Sequence, residues 1–261
     1  MSLAGVVLAA GAGTRLRPLT DLRPKALCPV GTVPLLDLAL ARLDPLVEAV
    51  AANAHHLARQ VTSYLADRAH VSVEAPEALG TAGALGALRS WLDGRDVLVT
   101  NADAYLPGGL GTFAAGWDGE RSRLLCACVD GPGDFPSVRP GLRYVGACML
   151  AWSSVSRLEA EPSGLYEVLW RDELPDLDLV TLAEAGLPPV AFDCGTVAEY
   201  LAANLHASGG ASVVDPTAVV EGTVDRCVVW DGAHVARGEH LVDAVRAGTP
   251  DAPVTATARP T

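Results

Sequence analysis

Isoleucine is missing from all 261 residues, and lysine occurs once, at Lys25, among 19 basic side chains. Methionine (2) and phenylalanine (3) are scarce, whereas alanine, valine, glycine, proline and arginine abound. Such a bias points to a GC-rich coding sequence, in which arginine is the default cation. A position that still holds lysine is then one that needs a compact ammonium rather than a planar guanidinium. No apolar run approaches the roughly 20 residues of a membrane span, and residues 1–8 lack the charged start and long apolar core of a secretory leader. We therefore expect a cytoplasmic protein with no membrane partner. A basic excess is also lacking: 31 acids face 19 bases, a net charge of -12, which disfavours nucleic acid as a partner. A small anionic ligand requires only a local basic patch. The six cysteines, at 28, 126, 128, 148, 194 and 227, contain no CxxC pair and no His/Cys zinc spacing. They read as reduced thiols in apolar segments.

With 50% hydrophobic residues, the chain has ample material for a core in one domain with or without an appendage. An apolar run at 6–10 leads into Gly11-Ala12-Gly13, which reads as a buried strand feeding a glycine loop. Further strand-like runs at 47–52, 71–75, 96–100, 124–129, 144–152 and 190–193 alternate with helical patterns at 34–46, 54–68, 82–92, 164–172 and 197–205. This alternation predicts an α/β fold, a Rossmann-like, mostly parallel mixed sheet flanked by helices, over residues 1–208. Ligands then belong at the carboxyl ends of the strands. After Ser208-Gly209-Gly210 the texture changes, and Val213 and Val219, then Val229, Val235 and Leu241, recur six residues apart. Residues 209–248 therefore read as a short β appendage, either a hexapeptide-like coil or an ordinary pair of strands. A homo-oligomer built through such a coil is left open. The small, polar, proline-bearing stretch 249–261 is expected to be disordered.

Taken alone, Gly11-Ala12-Gly13 fits a tight turn as well as a phosphate loop. The next residues shift the balance: Arg15, Arg17, Arg23 and Lys25 crowd into an acidic chain, interleaved with Pro18 and Pro24. A cationic, proline-stiffened loop at a strand end suits phosphate, through backbone N–H groups and side-chain charge. Arg17 and Arg23 read equally as solvated loop residues. Asp103 and Asp193 each end an apolar strand-like run, as a metal carboxylate or a turn aspartate would.

The segments GAGTRLRPLT and RPKALCPVG, followed by EALGTAGAL (77–85), VLVTNAD (97–103) and FDCGTVAEYLAAN (192–204), resemble the sugar-phosphate nucleotidyltransferases, or NDP-sugar pyrophosphorylases. The likeness covers about the first 205 residues and is strongest to short bacterial members acting on N-acetylmuramate 1-phosphate or mannose 1-phosphate. It implies a reaction between a nucleoside triphosphate and a sugar 1-phosphate that releases pyrophosphate. The attacking phosphate oxygen is already ionised, so such a site must supply positive charge and alignment rather than a general base. By the same resemblance, Arg15 grips the triphosphate and Lys25 reaches the phosphates around the reacting centre. Asp103 and Asp193 bind Mg²⁺. Ala10, Gly11, Gly13 and Thr14 hold the nucleotide from one side. Gly80 and Thr81 lie against the base and ribose, their loop glycines allowing close approach to the ring, and Asn101 contacts the ribose. Gly146 and Glu167 face the sugar.

The chain departs from the family pattern in lacking a second lysine for the sugar phosphate, which leaves Arg139, Arg143 or Arg171 as substitutes. The segment 130–144 is short, and Ala102 precedes Asp103 where glycine is usual. A cytidylyltransferase or molybdenum-cofactor guanylyltransferase would share the glycine loop but not the Pro-Leu-Thr and Pro-Lys-Ala-Leu elements. A non-catalytic nucleotide-sugar-binding subunit is the rival of another class. It has little reason to keep Arg15, Lys25, Asp103 and Asp193 together. Lys25→Arg is expected to lower turnover by a large factor in steady-state assays despite conserving charge, and unchanged kinetics would refute a geometric need for the ammonium.

Overall fold

The computed structural model describes residues 2–258. Its contacts gather the chain into two compact units, Met1–Gly11 with Leu36–Ala191, and Ala12–Leu35 with Phe192–Thr261. This division cuts the signature loop out of the first unit and groups it with the C-terminal segment, so it does not fall after residue 208.

The first unit is built on seven strands: β1 (Leu3–Leu8), β2 (Ala49–Ala54), β3 (His70–Val73), β4 (Asp96–Asn101), β5 (Arg123–Cys128), β6 (Leu142–Leu150) and β7 (Asp178–Thr181). They lie in the order β7-β5-β6-β4-β1-β2-β3. The pairings of β1 with β2 and β4, of β2 with β3 and of β5 with β7 are parallel, and β6 alone runs antiparallel to its neighbours. The expected mostly parallel mixed sheet is therefore present. In the middle of β1, Ala4, Val6 and Val7 are fully buried, which accounts for the continuous apolar run of a strand covered on both faces. The register Leu8↔Asn101 sets the ends of β1 and β4 level, and Ala102 N donates to Leu8 O at 3.0 Å. The glycine loop and the Asn101-Ala102-Asp103 turn thus leave the sheet side by side. Strand β7 was not legible in the sequence, because only Leu179 and Thr181 of its four residues turn inward.

Helix α1 (Leu35–Leu43) precedes β2, α2 (Ala58–Leu65) joins β2 to β3, and α3 (Gly80–Ala87) begins on the GTAG segment. The glycines of α3 face the backbone of residues 159–163. A Cβ on Gly83 would stand 2.1 Å from Glu161 O, and one on Gly86 2.3 Å from Glu159 O. The helical reading of 164–172 is corrected in part: Tyr166–Trp170 forms one π turn. Its wider geometry accompanies burial of both Leu169 and Trp170.

In the second unit, the segments 213–214, 219–220 and 223–225 pair in parallel with 228–229, 234–235 and 240–242. A third layer continues from 228–229 onto Ala244–Thr249. The chain thus visits three separate pairings in turn and then repeats them, with a valine or leucine on each; within each pass the spacing is six residues except between Val219 and Val224, where it is five. Val229, Ala233 and Val235 are buried there against Val220, Val224 and Leu241. The disorder expected from 249 onward is corrected up to the last described residue. Ala252–Thr257 forms a strand antiparallel to Ala244–Thr249, with Ala256 buried. A low apolar content is compensated by a full ladder with the strand just before it, whose turn Gly248 accommodates at φ +83°. Residues 259–261 of that stretch lie outside the described residues.

Helix α4 (Val197–Ala207) opens with Thr196 as its N-cap, whose hydroxyl accepts from Glu199 N at 3.2 Å and donates to the Glu199 carboxylate at 2.9 Å. It fastens the signature loop within this unit. Tyr200 donates to Pro29 O and receives the Trp230 indole N–H at 3.0 Å, and Asn204 accepts from Gly31 N at 3.0 Å. The Gly83 contact gives a direct test of fold energetics. Gly83→Ala should destabilise the protein by about 1–3 kcal/mol through overpacking, measured by urea unfolding, whereas an unchanged midpoint would show that the 159–163 backbone yields freely.

Candidate active site

In the second unit the chain leaves Gly13 at φ +60°, where a Cβ would strike Thr20 at 2.7 Å. The Thr20 hydroxyl donates to Gly13 O at 2.9 Å. This closes residues 13–20 into a tight loop, and two single turns, Thr14–Leu16 and Lys25–Leu27, display Arg15 and Lys25. Lys25 is only 6% exposed. Its Nζ lies 3.2 Å from Asp193 Oδ1, while Arg15 Nη2 lies 3.5 Å from Asp193 Oδ2. The two cations therefore converge on one carboxylate, which is 55% exposed, from a buried side and a wet side. Cys28, buried one turn beyond Lys25, has its thiol pushed up to about 12 by burial, so it adds no negative charge there.

Gly195 completes this cluster, although sequence reasoning did not single it out. A Cβ at that position would stand 2.7 Å from Arg15 Nη2 and 3.0 Å from Asp193 Oδ1. The other loop arginines are engaged elsewhere. Arg17 pairs with Asp21 at 3.2 Å, and Arg23 pairs with Asp231 at 2.8 Å and stacks 4.7 Å over the Trp230 ring. Thr14 is exposed at the head of its turn.

In the first unit, Ala10, Gly11, Gly80, Thr81, Asn101 and Asp103 line one pocket of about 190 Å³, together with Leu8, Asn53 and Ala78. Whole small-molecule sites run to ~300–1,000 Å³, so this room suits one part of a larger ligand. The glycines of its helix α3 also meet a packing demand. A Cβ on Gly80 would meet Ser163 O at 2.5 Å, so Gly80 and Gly83 are glycine to admit the protein's own backbone. Thr81 Oγ1 accepts the Leu165 N–H at 2.8 Å and holds the same segment. Below the turn that carries Asp103, the buried Arg42 guanidinium donates to Thr100 Oγ1 and Ala104 O, each at 3.2 Å, and to Asn101 O at 3.5 Å.

The two sugar-side candidates fall outside this pocket. Gly146, at φ +87°, packs beneath Asn101 and Ala104, where a Cβ would sit 3.1 Å from each side chain. Glu167 is exposed and folds back over Gly164. Of the arginines left to replace a second lysine, Arg139 pairs with Glu184 at 3.3 Å and Arg171 with Asp172 at 3.7 Å, while Arg143 is exposed. Among the described residues, no three His, Cys, Asp or Glu side chains gather as a metal cluster, and no helix is long and apolar enough to cross a membrane.

The family model of the MobA-like NTP transferase domain matches residues 5–221. The chain belongs to that family. This bears out the resemblance read from the signature segments. Among curated relatives, the N-acetylmuramate alpha-1-phosphate uridylyltransferase of Caulobacter vibrioides is 38% identical over 129 residues, 44% of this chain and 53% of the relative. The bifunctional protein GlmU of Methanococcus aeolicus is 29% identical over 50% of this chain and 31% of its own. The match thus spans about half, or less, of the curated relatives. Among solved structures, mannose-1-phosphate geranyltransferase of Thermus thermophilus has a TM-score of 0.66 at 19% identity, covering 98% of this chain and 95% of that one. HddC of Yersinia pseudotuberculosis, complexed with GMP-PN, has a TM-score of 0.60 at 19% identity, covering 78% and 98%. These two share the fold of this MobA-like NTP transferase.

Two sites of this family member escaped sequence reading, Asn53 at the pocket wall and Gly195 beside Arg15. Asn53 carried a usable signal, since it ends a strand-like run as Asn101 does. Gly195→Ala is expected to leave the fold intact and to lower turnover about 10- to 100-fold, by pushing Arg15 off its aim. Steady-state rates and a thermal melt check this, and wild-type rates would show that Arg15 adjusts without loss.

Proposed function

We propose that the chain transfers a nucleotidyl group from a nucleoside triphosphate to a sugar 1-phosphate, giving a nucleoside diphosphate sugar and pyrophosphate. The observation that carries this reading is the desolvated Lys25 ammonium, which converges with Arg15 on Asp193. A sugar-phosphate oxygen attacks the α-phosphorus, the bond to the β-phosphate oxygen breaks, and pyrophosphate leaves with the electron pair. No proton transfer is required of the protein. Its work is to hold two polyanions together and to stabilise the departing charge. Arg15, with its forked donors, is suited to the triphosphate. Lys25, held by its buried stem, presents a point charge that does not wander. The pocket lined by Gly11, Gly80, Thr81 and Asn101 is the room for base and ribose.

Asp103 in the first unit and Asp193 in the second are carboxylates that we assign, each by its own motif, to Mg²⁺. Two hard oxygen donors suit an ion that keeps waters and takes its remaining ligands from phosphates. When bound, the ion neutralises and orients phosphate oxygens. Arg15 and Lys25, both within contact of Asp193, hold that carboxylate in place before any substrate arrives.

The experiment is pyrophosphate release with each triphosphate against a panel of sugar 1-phosphates, headed by UTP and N-acetylmuramate 1-phosphate because the Caulobacter vibrioides relative is named for that reaction. Release with at least one pair supports the assignment. Silence across the panel, with nucleotide still bound, favours a nucleotide-sugar-binding subunit instead. Asp103→Asn should abolish magnesium-dependent release with no change in thermal midpoint, and full activity at ordinary magnesium would remove Asp103 from the metal.

A further inference from the structure

Behind the nucleotide pocket lies a chain of buried polar groups that the reaction itself does not use. Asn53, near the end of β2, is 3% exposed, and Glu74, just past β3, is 4% exposed. Ala9 N donates to Asn53 Oδ1 at 2.7 Å. Because a backbone N–H can face only an acceptor, this bond fixes the orientation of the Asn53 amide and turns its nitrogen the other way. Asn53 Nδ2 then donates to Glu74 Oε1 at 2.7 Å. The second oxygen, Glu74 Oε2, accepts from Leu79 N at 2.8 Å. Glu74 is itself anchored to the sheet, its N–H donating to Ala54 O at 2.8 Å and its carbonyl lying 2.9 Å from His55 Nδ1. The bridge thus runs from Ala9, at the root of the glycine loop, to Leu79, immediately before Gly80. Both ends border the pocket that Ala10, Gly11, Asn53, Ala78 and Gly80 line.

Its polarity is demanding. Each terminus of the bridge is a backbone donor, so the two side chains must supply an acceptor at both ends and one donor–acceptor contact between them. An amide followed by a carboxylate meets this requirement, and so does the reverse order. Two amides leave a donor facing a donor, and two carboxylates leave an acceptor facing an acceptor.

We propose that Asn53 and Glu74 are positioning residues for nucleoside triphosphate binding, a polar strut that sets the gap between the Gly11 loop and the start of α3. The inference rests on the nucleotidyltransfer reading only in naming the ligand. The strut holds the walls of the pocket and leaves the reacting phosphates to other residues. Losing it therefore loosens the nucleotide without slowing the chemical step or weakening the sugar phosphate.

The test uses Glu74→Gln, Asn53→Asp and the double variant in the full chain. The double variant restores the required polarity. Its carboxylate, now at position 53, accepts from Ala9 N and from the side-chain amide now at position 74, whose oxygen accepts from Leu79 N. Calorimetric binding of UTP and GTP is measured alongside the KM for each substrate, kcat and the thermal midpoint. Each single variant should weaken triphosphate binding about tenfold, the scale of one mismatched buried hydrogen bond. In Glu74→Gln, kcat and the KM for the sugar phosphate should stay within about twofold of wild type. The double variant should recover to within about threefold. Wild-type binding by Glu74→Gln overturns the proposal, as does a folded double variant as weak as its parents. Equal losses for both substrates would reduce the strut to general stability and also overturn it. Should the single variants fail to fold, the double variant decides alone: nucleotide binding near wild type supports the strut, and weak binding or misfolding overturns it. If wild-type protein binds neither UTP nor GTP, the same comparison is made with ATP, CTP and dTTP; binding of none of the five is a different result, since it overturns the nucleotidyltransfer reading before any variant is compared and removes the strut's ligand with it.

Discussion

A buried ammonium is costly unless a carboxylate meets it, and the pairing of Lys25 with Asp193 is the contact on which the signature loop depends. Lys25 is almost wholly removed from water, whereas its partner remains 55% exposed. The pair is therefore lopsided. Screening by water on the Asp193 side limits what the contact contributes to stability, but the cation is left dry and aimed. Every feature around it serves that aim: Gly13 bends without a Cβ, Thr20 closes the loop, and Tyr200 and Asn204 of α4 clamp residues 29–31 that follow. Gly195 leaves room for Arg15 to reach the same carboxylate.

In the sheet unit the corresponding constraint is register. Because Leu8 and Asn101 stand opposite one another on parallel strands, two loops that begin far apart in sequence emerge together. One carries the glycines and the other Asp103. Arg42 supports the second from below with three hydrogen bonds to backbone and hydroxyl oxygens. Parallel strands thus bring loops distant in sequence together at their carboxyl ends, outside the packed core.

Glycine in this chain shows how one residue type answers different demands. Gly13 supplies a left-handed bend, Gly195 clears space for a charged side chain, and Gly80, Gly83 and Gly86 let a helix rest on bare backbone. Read as a motif, Gly80 and Gly83 look like room for a ligand's ring. In the packed chain they, with Gly86, also make room for residues 159–163. The arginines divide in the same manner: Arg15 joins the cationic cluster, while Arg23 is a structural pin between Trp230 and Asp231.

The sequence by itself determined the α/β alternation, the strand that feeds the glycine loop, the special standing of Lys25 and the pairing of Asp103 and Asp193 with strand ends. Each of these is a local pattern of apolar periodicity, turn residues or charge, and local patterns act over a few neighbouring residues. Tertiary structure alone decided that Ala252–Thr257 pairs as a strand, that β7 exists at the sheet edge, and that Asn53 meets Glu74. Those outcomes hinge on partners: a weakly apolar segment becomes a strand when a neighbouring ladder is waiting, and a buried amide takes its orientation from a backbone N–H 44 residues away. Hydrogen-bond complementarity between distant segments leaves no trace in the spacing of either one.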